Sequence, residues 1–193
     1  MKQFDPSLYF ITDSTGYTEE AFLLRVEQAL RGGATLLQLR EKNRSTRAYI
    51  RLAEKVHAIA KCYQVPLIID DRVDVALARK LMGNDKIVGA TAKTVPWARE
   101  AWEQGADYLG VGAIYPTTTK VKTVLTSTET LREICNAVPI PVNAIGGLNR
   151  ENIDVLAGIP IAGICVVSAI MKAEDPQTAA EELKARAKEL GLC

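Results

Sequence analysis

The sequence predicts a parallel α/β fold of the (β/α) barrel kind, and three observations carry that prediction. Seven short apolar runs recur along the chain, most of them followed by a segment with helical patterning. Connections are short, and glycines mark the helix-to-strand returns at Gly32-Gly33, Gly83, Gly105 and Gly158. Polar residues gather just after many different strands, where a barrel carries its active site on loops at the strand C-termini. The competing architecture is an open doubly wound sheet. Its dinucleotide-binding version is weakened because no Gly-x-Gly-x-x-Gly follows the first strand.

The strands are expected at Leu8–Thr12, Thr35–Leu39, Pro66–Ile69, Ile87–Thr91, Tyr108–Val111, Pro141–Ile145 and Gly163–Val167. Helix starts are legible between them. Thr18 precedes Glu19-Glu20 and the segment to Arg31. Ser45 or Thr46 precedes the long segment ending near Tyr63. Thr126 and Glu129 have capping-box spacing. Asn149 precedes Glu151, and Asp175-Pro176 opens the last helix, which stops at Gly191. Trp97 and Trp102 share one helix and are expected to pack the outer shell. A chain of 193 residues, 48% hydrophobic, is enough for one core and too little for two ordinary domains. No linker or charge block divides it, so residues 1–193 are expected to form one domain. A complete barrel has eight strands, however, and the count here is seven.

Charge excludes some functions. Lys+Arg is 24 and Asp+Glu is 23, a net +1. Bulk electrostatic attraction to nucleic acid or anionic lipid calls for a far more basic chain, so neither is expected as a partner. Any anion must be held by a local cluster. No apolar stretch approaches the roughly 20 residues of a membrane span. The N-terminal residues lack the apolar core of a signal peptide. The four cysteines are far apart, without a CxxC pair, and a reduced cytoplasmic protein is expected. The single histidine, His57, lies mid-helix, so no Ser/His/Asp or Cys/His arrangement is supported.

The chemistry-bearing residues sit at strand ends. Alternation puts Gln38, Arg40 and Lys42 on one side of the second strand, which would aim two cations into the barrel mouth. Such a pair suits a diphosphate; a pair of solvated charges is the alternative. Asp70 and Asp71 follow the third strand. Adjacent carboxylates suit Mg²⁺, which completes its octahedron with phosphate oxygens and water. The alternative is an N-cap for a helix at Val73–Met82 plus a salt bridge to Arg72. Thr117, Thr118, Thr119 and Lys120 make a phosphate cradle of hydroxyls and one point charge. Gly146-Gly147 and Ser168 follow the last two strands. Their backbone N–H groups suit an anion, a recurring arrangement of barrel loops in that position; a mere tight turn is the alternative.

Taken together in order, the motifs resemble thiamine-phosphate synthase, also called thiamine-phosphate pyrophosphorylase. They are Tyr9-Phe10-Ile11-Thr12-Asp13, the run Gly33 to Lys42, Leu67 to Asp74, Gly105 to Gly112, Pro116 to Lys120, Ala144 to Gly147 and Val167 to Ile170. The resemblance implies a TIM barrel that joins a hydroxymethylpyrimidine diphosphate to a thiazole phosphate, with Mg²⁺, releasing pyrophosphate. It implies that Gln38, Leu39, Arg40, Glu41 and Lys42 hold the pyrimidine diphosphate, with Arg40, Lys42 and Lys120 acting on the leaving group. Asp70 stands where the family usually has Asn, and Thr91 where it usually has Ser; both would lie beside that substrate. Asp71 would bind Mg²⁺. Thr117, Thr118, Thr119, Gly147, Val167 and Ser168 would hold the thiazole phosphate. The family's route through a pyrimidine carbocation needs no enzyme nucleophile.

One departure stands out. After Asp71 to Ala78 the family has a further strand, an acidic metal ligand and part of a helix, and here Ala78 runs straight into Arg79-Lys80-Leu81-Met82-Gly83. The expectation is therefore a TIM (β/α) barrel lacking its fourth interior strand–helix unit. How such a barrel closes is left open, as is whether it forms a homo-oligomer. Two other functions compete with the synthase. One is a thiazole tautomerase, which calls for a His after the fourth recognised strand, where this chain has Lys93. The other is a non-catalytic binder of phosphorylated thiamine precursors.

Overall fold

The computed structural model describes residues 4–41, 44–70, 75, 78, 80, 85–117 and 124–192. Seven parallel strands are β1 (Leu8–Ile11), β2 (Leu36–Leu39), β3 (Leu67–Ile69), β4 (Gly89–Ala92), β5 (Tyr108–Gly112), β6 (Val142–Ile145) and β7 (Gly163–Val166). The α-helices are α1 (Glu19–Arg31), α2 (Thr46–Cys62), α3 (Val95–Glu103), α4 (Thr128–Ala137), α5 (Ser168–Met171) and α6 (Pro176–Glu189). All seven expected strands form, each within about two residues of its expected bounds. The shift at β4 has a local cause. The Val88 N–H donates to the Asp107 carboxylate at 2.8 Å, so only its carbonyl is left for a backbone bond, which it accepts from the Asp107 N–H at 2.7 Å.

The strands form one sheet in the order β3-β2-β1-β7-β6-β5-β4. The first and last strands of a barrel must meet for it to close, and here β1 pairs with β7 through Tyr9 opposite Cys165. The opening lies elsewhere. Among the described residues no ladder joins β3 to β4, the two strands that would flank a fourth family strand. The fold is an open, seven-stranded TIM-like barrel, interrupted where the missing unit was expected. On its open side Ile69 is 46% exposed and Trp97 is 57% exposed. The expectation that Trp97 and Trp102 pack the shell is therefore wrong. Trp102, on another face of α3, is 41% exposed as well.

Strand alternation sorts the core into two layers. Phe10, Leu37, Leu39, Leu109 and Ile164 face the helices, where Phe22, Val26 and Leu131 meet them. Each such fully buried side chain contributes about 1.5–3 kcal/mol. Tyr9, Ile11, Leu36, Tyr108 and Cys165 face the barrel interior.

The helix starts follow the sequence with two corrections. Thr18, Ser45 and Asp175 cap α1, α2 and α6 as expected. The cap of α4 is Ser127, not Thr126, and its hydroxyl accepts the Thr130 N–H at 3.2 Å. Thr126 is buried instead, with its N–H donating to the Ala113 carbonyl at 2.8 Å. The helix therefore starts one residue later than the capping-box spacing predicts. Asn149 starts no α-helix. Its carboxamide accepts the Glu151 N–H, and only a 3-10 turn at Ile153–Leu156 follows. The expected helix Val73–Met82 lies largely outside the described residues.

Candidate active site

Arg40 and Gln38 are brought together at the mouth of the barrel, as alternation along β2 requires. The Arg40 N–H donates to the hydroxyl of Thr12, a fully buried residue just after β1, at 3.2 Å. Its guanidinium Nε lies 3.6 Å from the Asp70 carboxylate across the β2–β3 boundary. The Asp70 N–H donates to the Leu39 carbonyl, and the Tyr49 hydroxyl donates to the carbonyls of Leu39 and Asp70 at 2.9 and 3.2 Å. Arg40 and Asp70 are thus held by backbone bonds on adjacent strand ends.

Below them, Gln38 Nε2 donates to the Tyr9 hydroxyl at 2.7 Å, and that hydroxyl lies 2.8 Å from the Tyr108 hydroxyl. Burial pushes both phenols well above the ordinary tyrosine range, and the buried Cys165 thiol rises for the same reason. All three are neutral at physiological pH. The floor of the site is therefore uncharged and hydrogen-bonding, while the charge sits at the rim. Tyr9 and Tyr108 were not singled out in the sequence. Their signal was present, since alternation puts Tyr9 on the side opposite to Phe10, but nothing local reveals that the two meet.

A cavity of about 450 Å³ extends from this floor, past Thr91 on β4, out to Trp97 on α3 and Gln104 just after it. It runs through the open side of the sheet. Gly89 lines it for a steric reason: a Cβ there would come within 2.1 Å of the Tyr108 ring.

The opposite side of the mouth is made by the loops after β5, β6 and β7. The N–H groups of Ile114 and Tyr115 donate to the carbonyls of Ile145 and Gly146 at 3.0 Å each, which fastens two loops together. Gly147 has φ +66°, and a Cβ would lie 2.7 Å from the Tyr115 Cβ and 2.8 Å from the Pro116 carbonyl oxygen. Only glycine suits both the conformation and the close approach. Ser168 is the first residue of α5, and the Val167 carbonyl accepts the Met171 N–H. Thr117 is half-buried at the end of the described part of its loop. Lys93 donates to the Val124 carbonyl at 2.8 Å, holding the far end of that loop.

Two expected contacts point elsewhere. Leu39 is fully buried toward the helices, so only its backbone reaches the site. Glu41 is buried on the same side. Lys42, Asp71, Thr118, Thr119 and Lys120 lie outside the described residues.

The arrangement sets the Arg40 rim and the glycine loop at one end of the sheet, over a neutral polar floor. Among the described residues no group of three or more His, Cys, Asp or Glu side chains is arranged to hold a metal. Asp70 does offer a hard oxygen donor at the rim, which is what Mg²⁺ takes when phosphate oxygens complete its shell. No helix among the described residues is long and apolar enough to cross a membrane.

Comparison with known proteins places the chain in one family. The sequence model of the family described as thiamine monophosphate synthase matches residues 8–80 and 75–170. Thiamine-phosphate synthase 2 of Streptococcus pneumoniae is 51% identical over 186 residues, covering 87% of this chain and 89% of its own. Thiamine-phosphate synthase of Clostridium tetani is 44% identical over 200 residues, covering 94% and 96%. The solved thiamine phosphate pyrophosphorylase from Pyrococcus furiosus superposes with a TM-score of 0.85 at 33% identity, over 95% of this chain and 96% of that one. A geranylgeranylglyceryl phosphate synthase from Thermoplasma acidophilum, at 13% identity and TM-score 0.70, shares the fold. The Streptococcus match spans 186 positions but takes in only about 168 residues of this chain, so about 18 positions have no counterpart here. The family match breaks at 75–80, between β3 and β4, where the sheet is open. On family match, identity and fold together, the chain belongs to the thiamine monophosphate synthase family.

Proposed function

We propose that the chain acts as its family does. It would join 4-amino-2-methyl-5-(diphosphooxymethyl)pyrimidine to thiazole phosphate, giving thiamine phosphate and pyrophosphate. The observation that carries this reading is the pairing of an Arg40–Asp70 rim with a glycine-loop rim over one uncharged floor. Two phosphorylated substrates need two anion sites facing one reacting centre.

In this reading the ring of the pyrimidine lies over Gln38, Tyr9 and Tyr108, beside Thr91, and its diphosphate lies against Arg40, Lys42 and Lys120. Gly147, Val167, Ser168 and Thr117 to Thr119 take the thiazole phosphate. Breaking a carbon–oxygen bond to pyrophosphate needs stabilisation of charge on the leaving group, and cations held in place supply it without a general base. Neutral phenols beside the ring leave a developing carbocation without a competing nucleophile of charge. Asp71, with Asp70 beside it, would hold Mg²⁺, which when bound neutralises charge on the diphosphate. A reducing compartment fits the free thiols of Cys62, Cys135 and Cys165, and the cytoplasm is the proposed location. A homo-oligomer that covers the open side fits the exposure of Ile69 and Trp97.

A second reading is favoured by one observation. Among the described residues no ladder joins β3 to β4 beside the cavity, where the family's fourth strand was expected. A protein so opened can serve as a binder of phosphorylated thiamine precursors without turnover.

The test is pyrophosphate release by the purified chain with both substrates and Mg²⁺. Release that requires thiazole phosphate and Mg²⁺ supports the synthase. No release from folded protein that still binds either substrate supports the binder.

A further inference from the structure

We infer that Glu41 is a positioning residue rather than a substrate contact: it holds Arg40 for the diphosphate through a chain of charges running to helices α1 and α2. This rests on the synthase reading for the identity of the diphosphate. Alternation along β2 separates the two neighbours. Gln38 points to the interior, where its amide reaches Tyr9, and Arg40 continues that side. Leu39 is fully buried against the helices, and Glu41 continues that one, with its side chain 6% exposed.

The partners of Glu41 fit this placement. Its Oε2 accepts from Arg44 Nε at 3.3 Å. Arg44 Nη1 lies 3.5 Å from Glu19 Oε2, and Glu19 Oε1 accepts from Lys55 Nζ at 2.5 Å. Four side chains therefore alternate in sign from the end of β2 to the first residue of α1 and the middle of α2. The hydrogen bond from Lys55 holds the Glu19 carboxyl below the ordinary range. Glu41 Oε1 is buried and has no hydrogen-bond partner among the described residues. A carboxylate in that state is costly. Aimed at a diphosphate, its charge would oppose binding as well. Behind the strand, the same charge pairs with Arg44. The Arg40 backbone is then set between the Thr12 hydroxyl, which accepts its N–H, and the next residue, Glu41, which is tied to Arg44.

The experiment compares wild type with Glu41→Gln, Glu19→Gln and the double variant. Glu41→Gln is expected to raise the KM for the pyrimidine diphosphate about tenfold, within the range that a small misplacement produces. The KM for thiazole phosphate and the melting temperature stay near wild type. Glu19→Gln, at the other end of the chain, raises the same KM by a smaller factor, and the double variant falls short of the product of the two, because the residues act through one network. Should Glu41→Gln fail to fold, Glu19→Gln carries the test alone. Unchanged KM values, or an equal rise in both, overturn the inference. Binding of inorganic pyrophosphate with Mg²⁺, followed by calorimetry, separates it from the synthase reading. A wild type that binds pyrophosphate without turnover overturns that reading only, and about tenfold weaker pyrophosphate binding by Glu41→Gln still supports the role of Glu41. A wild type that does not bind pyrophosphate overturns both.

Discussion

The hydroxyls of Tyr9 on β1 and Tyr108 on β5 lie 2.8 Å apart across the interior of an open barrel. Their rings also meet edge to face, with centroids 5.7 Å apart. Two strands that are not sheet neighbours are thereby tied through the floor of the site. Burial raises both phenol pKa values. A raised folded value means that this stabilisation is complete below the unfolded tyrosine value of about 10 and is lost as pH rises toward the folded value. Titration of phenolate absorbance is expected to leave two tyrosines silent near pH 10 while the fold persists. Tyr108→Phe should bring the count of silent tyrosines to one.

Gly89 makes room for that contact. Gly89→Ala puts a methyl group into the Tyr108 ring and is expected to cost about 1–3 kcal/mol, the usual range for overpacking. Urea unfolding measures it. Pairing the change with Tyr108→Ala removes the clash, so the two costs should not add.

Arg40 and Asp70 share the rim but carry different charges. Arg40→Ala is expected to lower kcat/KM for the pyrimidine diphosphate by about 10²–10³-fold, the scale for losing one group that stabilises developing charge. Asp70→Asn restores the residue type usual in the family. It should raise the Mg²⁺ concentration needed for half-maximal rate if Asp70 shares the metal with Asp71. An unaltered Mg²⁺ dependence would remove Asp70 from the metal site.

Gly147→Ala tests the other anion site. With φ +66° and the Tyr115 Cβ 2.7 Å away, the loop must shift to admit a methyl group. The KM for thiazole phosphate is expected to rise about tenfold, as small displacements do, while pyrophosphate binding stays unchanged.

Far from the site, Arg186 grips Asp154 with two nitrogens, one of them at 3.0 Å. The hydrogen bonds from Arg186 lower the Asp154 pKa. A lowered folded value gives stability that is present above the unfolded aspartate value of about 3.9 and lost as pH falls through the folded value. Asp154→Asn should therefore lower the melting temperature at pH 7. Its difference from wild type should shrink below about pH 4, which a series of thermal melts would show.

Much of this molecule was determined by its sequence alone. All seven strands, the caps at Thr18, Ser45 and Asp175, and the grouping of Gln38, Arg40 and Asp70 at strand ends follow from periods of 2 and 3.6 and from local hydrogen bonding. The missing unit after Ala78 was also legible, as a break in a motif order. Tertiary structure alone decided other points. Tyr9 and Tyr108 are 99 residues apart, and only the register through β7 and β6 brings them together. Thr126 is buried with its N–H on the Ala113 carbonyl, and the cap is made by Ser127 instead. Glu41 meets Arg44, which in turn reaches Glu19 at the start of α1, a pairing that joins residues 22 or more positions apart. Among the described residues β3 and β4 end the sheet order at opposite edges, a relation set by the pairing of all seven strands. Local patterning carries no information about distances set by sheet order, register and curvature, since these arise only when remote segments pack.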